Sequence, residues 1–445
     1  MSDDASTLLI RQGFQYALRL KPQGEATLRR WVGCRRFVFN EALAHQHAEI
    51  AAGRKRPGYA ALCARLPGLK QQHPWLSEPP AQALQQALKD LCKAWEAKFT
   101  SRFGKPRFKK RGEGDTLRLP QACSYDAHAG VLRLPKLGAV RLRHSRVAEG
   151  ELKNVTLRQE RGRWIAVLQT ERQIPVAAPA ATGAVGLDLG VATAIMPSLG
   201  EAMQLPKKLG RYERRMLRLQ RSVSRKPRGS RNRAEAREQL ARCHARMAAI
   251  RRDWQHQRTT QIVREHALVA IEDLAVKDMT ASAAGTAAAP GRNVRQKAGL
   301  NRAILRNGWS ALRSMLQYKA AWSGVMLVAV PPAYTSQACS SCGHVEAANR
   351  QTQAHFACVA CGHSEHADRN AARNILARAL RTLAADDTPL GGRPASTVGY
   401  TGTQACAGAA AMPRRRPRSA AQGAPVRAPL AGTTLGLSLP RNPPP

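Results

Sequence analysis

The chain has 445 residues and sets 71 Lys and Arg against 30 Asp and Glu, a formal net charge of +41. A compact state with that excess repels itself unless a polyanion neutralises it, so nucleic acid is the indicated partner. No apolar run reaches spanning length and no apolar signal segment follows Met1-Ser2-Asp3-Asp4, so a soluble, intracellular protein is expected rather than a membrane or secreted one.

A chain this long can bury two or three modest cores, and several domains are expected. Residues 8–20 alternate Phe14, Tyr16, Leu18 and Leu20 at the period of a strand. From Glu25 the period lengthens to three and four through Leu28, Trp31, Val32, Phe39 and Leu43, which predicts an amphipathic helix to near Gly53. A second helix is predicted over 79–103, with Leu84, Leu88, Leu91, Trp95 and Phe99 on one face. Beyond it, the segment 105–111 interleaves Phe108 with cations that include Arg107, Lys109 and Lys110. That pattern suits a strand-tracking segment with a stacking ring, and it equally suits a solvated basic loop. Alternation returns in short pieces between 116 and 171, with Arg161-Gly162 as a hairpin turn. These pieces predict a small barrel or sandwich, completed by the first strand, with the helical pair inserted between.

An Ala/Pro-rich linker precedes a second domain. It opens on a buried strand, Ala184 to Asp188, followed by a tight turn at Gly190. The stretch 207–258 is helical in period and dense in arginine. It has too few acids for internal salt bridging, so Arg214, Arg218, Arg221 and Arg225 are read as a face toward phosphates. Leu268–Leu274 is an apolar strand ending in Glu272 and Asp273; a low-complexity loop (281–291), a helix (300–322), a strand (325–330) and a last helix from 372 to about 384 follow. The tail from 386 has no apolar period and is expected to be disordered.

Two motifs carry chemistry. Cys339-Ser-Ser-Cys342 and Cys358-Val-Ala-Cys361 are separated by fifteen residues, the spacing of a zinc ribbon in which each turn presents two thiolates to a tetrahedral Zn²⁺. The other six cysteines are scattered and have no assigned role. Asp188 and Glu272 end apolar strands, where a lone carboxylate is unfavourable to bury, and Asp368 opens a helix. Each alone has an ordinary explanation as a turn acid, a surface charge or an N-cap. Together, three carboxylates from separate segments suit two Mg²⁺ ions and phosphodiester hydrolysis by a two-metal mechanism.

The sequences Gly186-Leu-Asp188-Leu-Gly190, Ile271-Glu272-Asp273-Leu274 and Ala367-Asp368-Arg-Asn370-Ala-Ala-Arg-Asn374, with a four-cysteine ribbon before the last, resemble the split RuvC nuclease of the TnpB family. These transposon-encoded proteins, also called OrfB-type transposases, are similar to the ancestors of type V CRISPR effectors. The resemblance extends to Phe37-Val38-Phe39-Asn40, Pro106-Arg107-Phe108-Lys109, Leu300-Asn301-Arg302, Trp309 and Tyr334-Thr335-Ser336-Gln337, and covers roughly 8–382.

It implies an α/β RNase H-like (RuvC) domain at 184–332 and 365–384 with an inserted zinc ribbon at 333–364 that binds target nucleic acid. A wedge-like β-barrel at 1–22 and 112–176 carries a helical recognition lobe at 23–111, with a linker at 177–183 and a disordered tail at 385–445. The implied activity is an RNA-guided DNA endonuclease of the bacterial cytoplasm and nucleoid. Asp188, Glu272 and Asp368 would be its catalytic, Mg²⁺-binding acids, and Cys339, Cys342, Cys358 and Cys361 its zinc ligands. Its partners would be a transposon-derived guide RNA and a double-stranded target with a short adjacent motif. The alternatives are a nuclease-inactive RNA-guided repressor and a strand-transfer transposase. The presence of all three acids opposes the first, and their order, Asp, Glu, Asp, opposes the second.

Overall fold

The structure, a computed structural model, describes residues 7–385 apart from 101–103, 113, 161, 162, 177 and 287. The predicted Arg161-Gly162 turn and the tail from 386 therefore lie outside the described residues.

Strand β1 (Thr7–Arg19) leads into helix α1 (Pro22–Ala51), whose first-turn proline suits the fixed φ of that position. Leu28, Trp31 and Val32 on the first half of α1 pack against the sheet described next, while Val38, Phe39, Ala42 and Leu43 on the second half join a helical core. That core is completed by two short helices, α2 (Tyr59–Ala64) and α3 (Leu66–Gln72), a 3₁₀ turn (Pro74–Ser77) and α4 (Ala81–Thr100). The two short helices are absent from the sequence expectation because six or seven residues give no readable period.

Six further strands follow: β2 (Thr116–Leu119), β3 (Ser124–Asp126), β4 (Val131–Leu134), β5 (Gly138–Leu142), β6 (Glu151–Glu160) and β7 (Arg163–Pro175). With β1 they form an antiparallel sheet in the order β2-β6-β7-β1-β5-β4-β3. β1 pairs with β7 from Thr7 to Ala17 and then with β5 at Leu18 and Arg19, so the chain turns a corner there. Leu117, Leu132, Val140, Leu157, Trp164 and Leu168 thereby share one core. The edge strands β2 and β3 stand at opposite ends of the order.

The second sheet is β11-β10-β8-β9. Strands β8 (Ala184–Asp188), β10 (Leu268–Glu272) and β11 (Met326–Val330) are parallel, and β9 (Met196–Pro197) is antiparallel to β8. Between them run α5 (Lys208–Arg225), α6 (Arg231–Glu265), α7 (Val276–Met279), α8 (Val294–Asn307) and α9 (Trp309–Trp322). The inner strands β8 and β10 are buried on both faces, as parallel strands usually are, while the edge strand β11 is partly exposed. Val185, Leu187, Val269 and Ile271 face Trp254, Ile262, Leu312 and Leu316 of α6 and α9. Leu268 and Ala270 face Ile375 and Ala379 of α10 (Ala367–Ala385). Helix α10 crosses β8 so closely that a Cβ at Gly186 would sit 2.1 Å from the Ala372 carbonyl oxygen, which explains the first glycine of the Gly-Leu-Asp-Leu-Gly motif.

Two predicted helices are divided. The 207–258 stretch breaks after Arg225, where Pro227 and the positive-φ Gly229 (φ 87°) cannot continue a helix, and Ser230 caps α6 by accepting the Arg233 N–H at 3.2 Å. The 300–322 stretch begins earlier, at Val294, and breaks at Gly308 (φ 69°). The 281–291 loop folds back on itself through a bridge between Gly285 and Pro290 and is tied to α8 by Asn301, which donates to the Thr280 and Ala281 carbonyls.

Candidate active site and four-thiolate ribbon

Asp188 ends β8, Glu272 ends the adjacent parallel strand β10, and Asp368 lies in the first turn of α10, which packs across both. Together with Gly190, Trp309, Thr335 and Arg350, the three carboxylates line one cavity of about 310 Å³. Side-by-side strands bring their C-terminal ends together automatically, so two of the acids meet because they occupy equivalent positions. The crossing at Gly186 delivers the third.

Burial pushes the Asp188 carboxyl up to about 7, with the Glu272 and then the Asp368 charge adding to the rise and Arg350 opposing it. Glu272 is also raised by burial, opposed by the Thr335 hydroxyl, which donates to Oε1 at 2.6 Å, and by Arg378. The Arg350 guanidinium pairs with Asp368 Oδ1 at 3.2 Å. A carboxyl that holds its proton in the folded state but not in the unfolded one stabilises less as pH rises. Without divalent ions, the contribution of Asp188 should therefore fall between about pH 4 and 7. Thermal unfolding of wild type and Asp188→Asn across that range checks the sign: the wild-type transition should drop more steeply with rising pH.

The three carboxylates line one cavity, and oxygen donors of this kind are what a hard divalent cation takes, its charge relieving their mutual repulsion. The sulfurs of Cys339, Cys342, Cys358 and Cys361 all lie within 4.8 Å of one another. Cys339 to Cys361 spans 3.7 Å and Cys342 to Cys358 3.6 Å. A tetrahedron with metal–sulfur distances near 2.3 Å has edges of about 3.8 Å, so the cluster fits Zn²⁺. The two knuckles are near copies. Each continues Cys-Gly-His-x-Glu, each glycine has positive φ, and each histidine Nε2 meets its glutamate at 3.1 or 3.0 Å. Strands β12 (His355–Ala357) and β13 (Ser364–His366) close the ribbon onto α10.

Arg350, Thr335, Asn370 and Asn374 had no role in the sequence reading. Asn374 donates to the Thr335 and Ala338 carbonyls, and Asn370 donates to Ala338 while accepting the Ser340 N–H. The ribbon is thus bolted to the helix that carries Asp368. A helical i, i+4 asparagine pair was legible beside Asp368, whereas Arg350 gives no local signal.

The candidate nucleic-acid residues lie elsewhere. Arg214, Arg218, Arg221 and Arg225 are exposed along one face of α5 and pair with no carboxylate among the described residues. Arg107, Phe108 and Lys110 are exposed. Lys109 is half-buried: its Nζ sits 4.6 Å over the Phe39 ring and its backbone is clamped by Asn40, which donates to its carbonyl and accepts its N–H. No helix among the described residues is long and apolar enough to cross a membrane.

Fold and site define a mixed α/β protein with an acid-lined cavity beside a four-thiolate ribbon. The profile described as "Probable transposase" (OrfB of IS605) matches residues 166–283, "Cas12f1-like, TNB domain" matches 309–375, and "Helix-turn-helix domain" matches 10–55, a region that here forms a strand and one long helix. The chain is similar to "Putative RNA-guided DNA endonuclease InsQ" of Escherichia coli K12, at 43% identity over 86% of this chain and 96% of that one. It is also similar to "Putative RNA-guided DNA endonuclease" of Streptomyces pristinaespiralis, at 34% identity over 88% and 94% of the two chains. The solved structure of CasPhi-2 (Cas12j) bound to crRNA aligns over 86% of this chain and 99% of that one, at 13% identity and a TM-score of 0.38. The chain belongs to the TnpB/OrfB family of transposon-encoded proteins.

Proposed function

We propose that this protein is an RNA-guided DNA endonuclease of the bacterial cytoplasm. In this reading it binds a transposon-derived guide RNA, recognises a short motif beside a double-stranded target and hydrolyses phosphodiesters at the acid-lined cavity of an RNase H-like (RuvC) domain. The observation that carries it is the convergence of Asp188, Glu272 and Asp368, drawn from segments up to 180 positions apart in sequence, on a single cavity. Its relatives are named for the same activity over nearly their whole length.

Asp188, Glu272 and Asp368 would hold Mg²⁺, which when bound supplies Lewis-acid activation of water and stabilises the leaving oxygen. The chain's own groups prepare that site. Thr335 fixes the rotation of the Glu272 carboxylate, and Arg350 offsets negative charge that would otherwise repel a phosphodiester. The exposed arginines of α5 and the 105–111 segment offer phosphate contacts without base reading, as suits a protein that leaves sequence recognition to pairing. Sequencing the RNA that co-purifies with the full chain tests the reading. A discrete species ending at the transposon boundary is expected, and random cellular fragments would contradict it.

A further inference from the structure

The corner between α8 and α9 is over-built for a helix break. Gln255 Nε2 donates to the Asn307 and Gly308 carbonyls at 2.9 and 3.1 Å, and Arg251 donates to those of Leu305 and Arg306 at 3.4 and 3.2 Å. The carbonyls of Leu305, Arg306 and Asn307 at the C-terminal end of α8, and that of Gly308, which also accepts the Ala311 and Leu312 N–H groups of α9, are thus taken by two side chains of α6. Gly308 adopts φ 69°, and a Cβ there would lie 3.0 Å from Gln255 Nε2. The corner is therefore locked to α6.

From this fixed point Asn307 reaches across to the turn that follows Asp188. It is buried, 4% exposed, and its side-chain amide donates to the Gly190 carbonyl at 3.0 Å and the Val191 carbonyl at 3.3 Å. Both turn residues line the acid cavity, and a Cβ on Gly190 would come within 3.7 Å of Asp368 Oδ2. The turn forms part of the cavity wall beside the acids, and Asn307 ties it to the α8–α9 corner.

We infer that Asn307 is a positioning residue for the nuclease: it holds the Gly190–Val191 turn so that Asp188 and Asp368 keep the spacing a shared divalent ion needs. It makes no hydrogen bond to the acids and does not line their cavity. The inference rests on the cavity being the cleavage site.

The test uses full-length, zinc-loaded protein with guide RNA and compares wild type, Asn307→Ala, Asn307→Ser and Asp188→Ala, with Thr170→Val as a control. Thr170 also makes a buried hydrogen bond, donating to the Glu149 carbonyl at 2.7 Å in the first sheet, so its loss measures a general packing effect. Asn307→Ala should cut about 10- to 100-fold more slowly at saturating Mg²⁺, the scale expected of a misplaced reacting group. Its Mn²⁺ half-saturation, read by electron paramagnetic resonance without turnover, should rise about tenfold, the change corresponding to roughly 1.4 kcal/mol of lost ion binding. Target affinity should stay within about twofold, on the view that the phosphate-contact surfaces do not involve this corner. Asn307→Ser, which keeps one donor, should fall between, and Thr170→Val should match wild type.

Wild-type rate and Mn²⁺ affinity in Asn307→Ala would overturn the inference, as would target affinity lost in step with rate. If the alanine variant does not fold, the serine variant decides by the same two readouts. Full cutting by Asp188→Ala would instead remove the cleavage-site reading itself.

Discussion

Asp188→Ala is expected to slow target cleavage by about 10³-fold or more, roughly 4 kcal/mol of transition-state stabilisation, while RNA and target binding stay at wild-type strength. The two effects separate because the residues placed for phosphate contact, on α5 and in the 105–111 segment, do not line the cavity, whereas Asp188 lies within it. The variant should also be no less stable than wild type in metal-free solution at pH 8. There the wild-type chain must hold a buried carboxylate against two others, and alanine relieves that repulsion. Loss of activity with equal or higher thermal stability is the opposite of what a structural residue gives. Cleavage kinetics on a preassembled complex, beside a melting curve, read both. Cutting at the wild-type rate would remove Asp188 from the site.

Removing zinc is expected to be as damaging to cleavage, by a different route. Four thiolates in a small ribbon with only two three-residue strands depend on the metal for their fold, and such sites draw about 10–16 kcal/mol of apparent free energy from it. The ribbon is not a separate appendage. Arg350 reaches Asp368 from it, the chain leading into it places Thr335 on Glu272, and Asn370 and Asn374 fasten it to α10. Cys358→Ser, or exhaustive chelation, should therefore release zinc, expose the ribbon to protease and take cleavage down with it, while the first sheet and helical lobe keep their protection. Zinc content by elemental analysis, limited proteolysis and cleavage rate are the measurements. Intact cleavage by a zinc-free ribbon would show that Arg350 and Thr335 do not need it.

The acids that line the cavity and the four clustered cysteines were legible because their chemistry is out of place locally. An aspartate at the end of Val-Gly-Leu and a glutamate at the end of Val-Ala-Ile are unfavourable unless something holds them, and paired thiols at ligand spacing have few other uses. The strands on either side were legible for the same reason, as apolar runs with no solvent face. What could not be read is what tertiary contact creates. Nothing near Arg350 says that it meets an aspartate eighteen positions later, and nothing near Asn307 says that it ties down a turn more than a hundred positions earlier. The helix breaks at Pro227–Gly229 and Gly308 were visible as residues but were overridden in the reading by strong arginine and leucine periodicity on both sides. Strand order in the front sheet was not legible, because it depends on which edges find partners.

Asp188, Glu272 and Asp368 should share divalent metal. Anomalous diffraction from Mn²⁺-soaked crystals of the zinc-loaded protein checks this, since manganese gives an anomalous signal that magnesium does not. One or two peaks are expected in the cavity within about 2.2 Å of oxygens from all three acids, the range of hard-cation coordination. A cavity with no peak at saturating Mn²⁺, or ions held by only one of the three carboxylates, would contradict it.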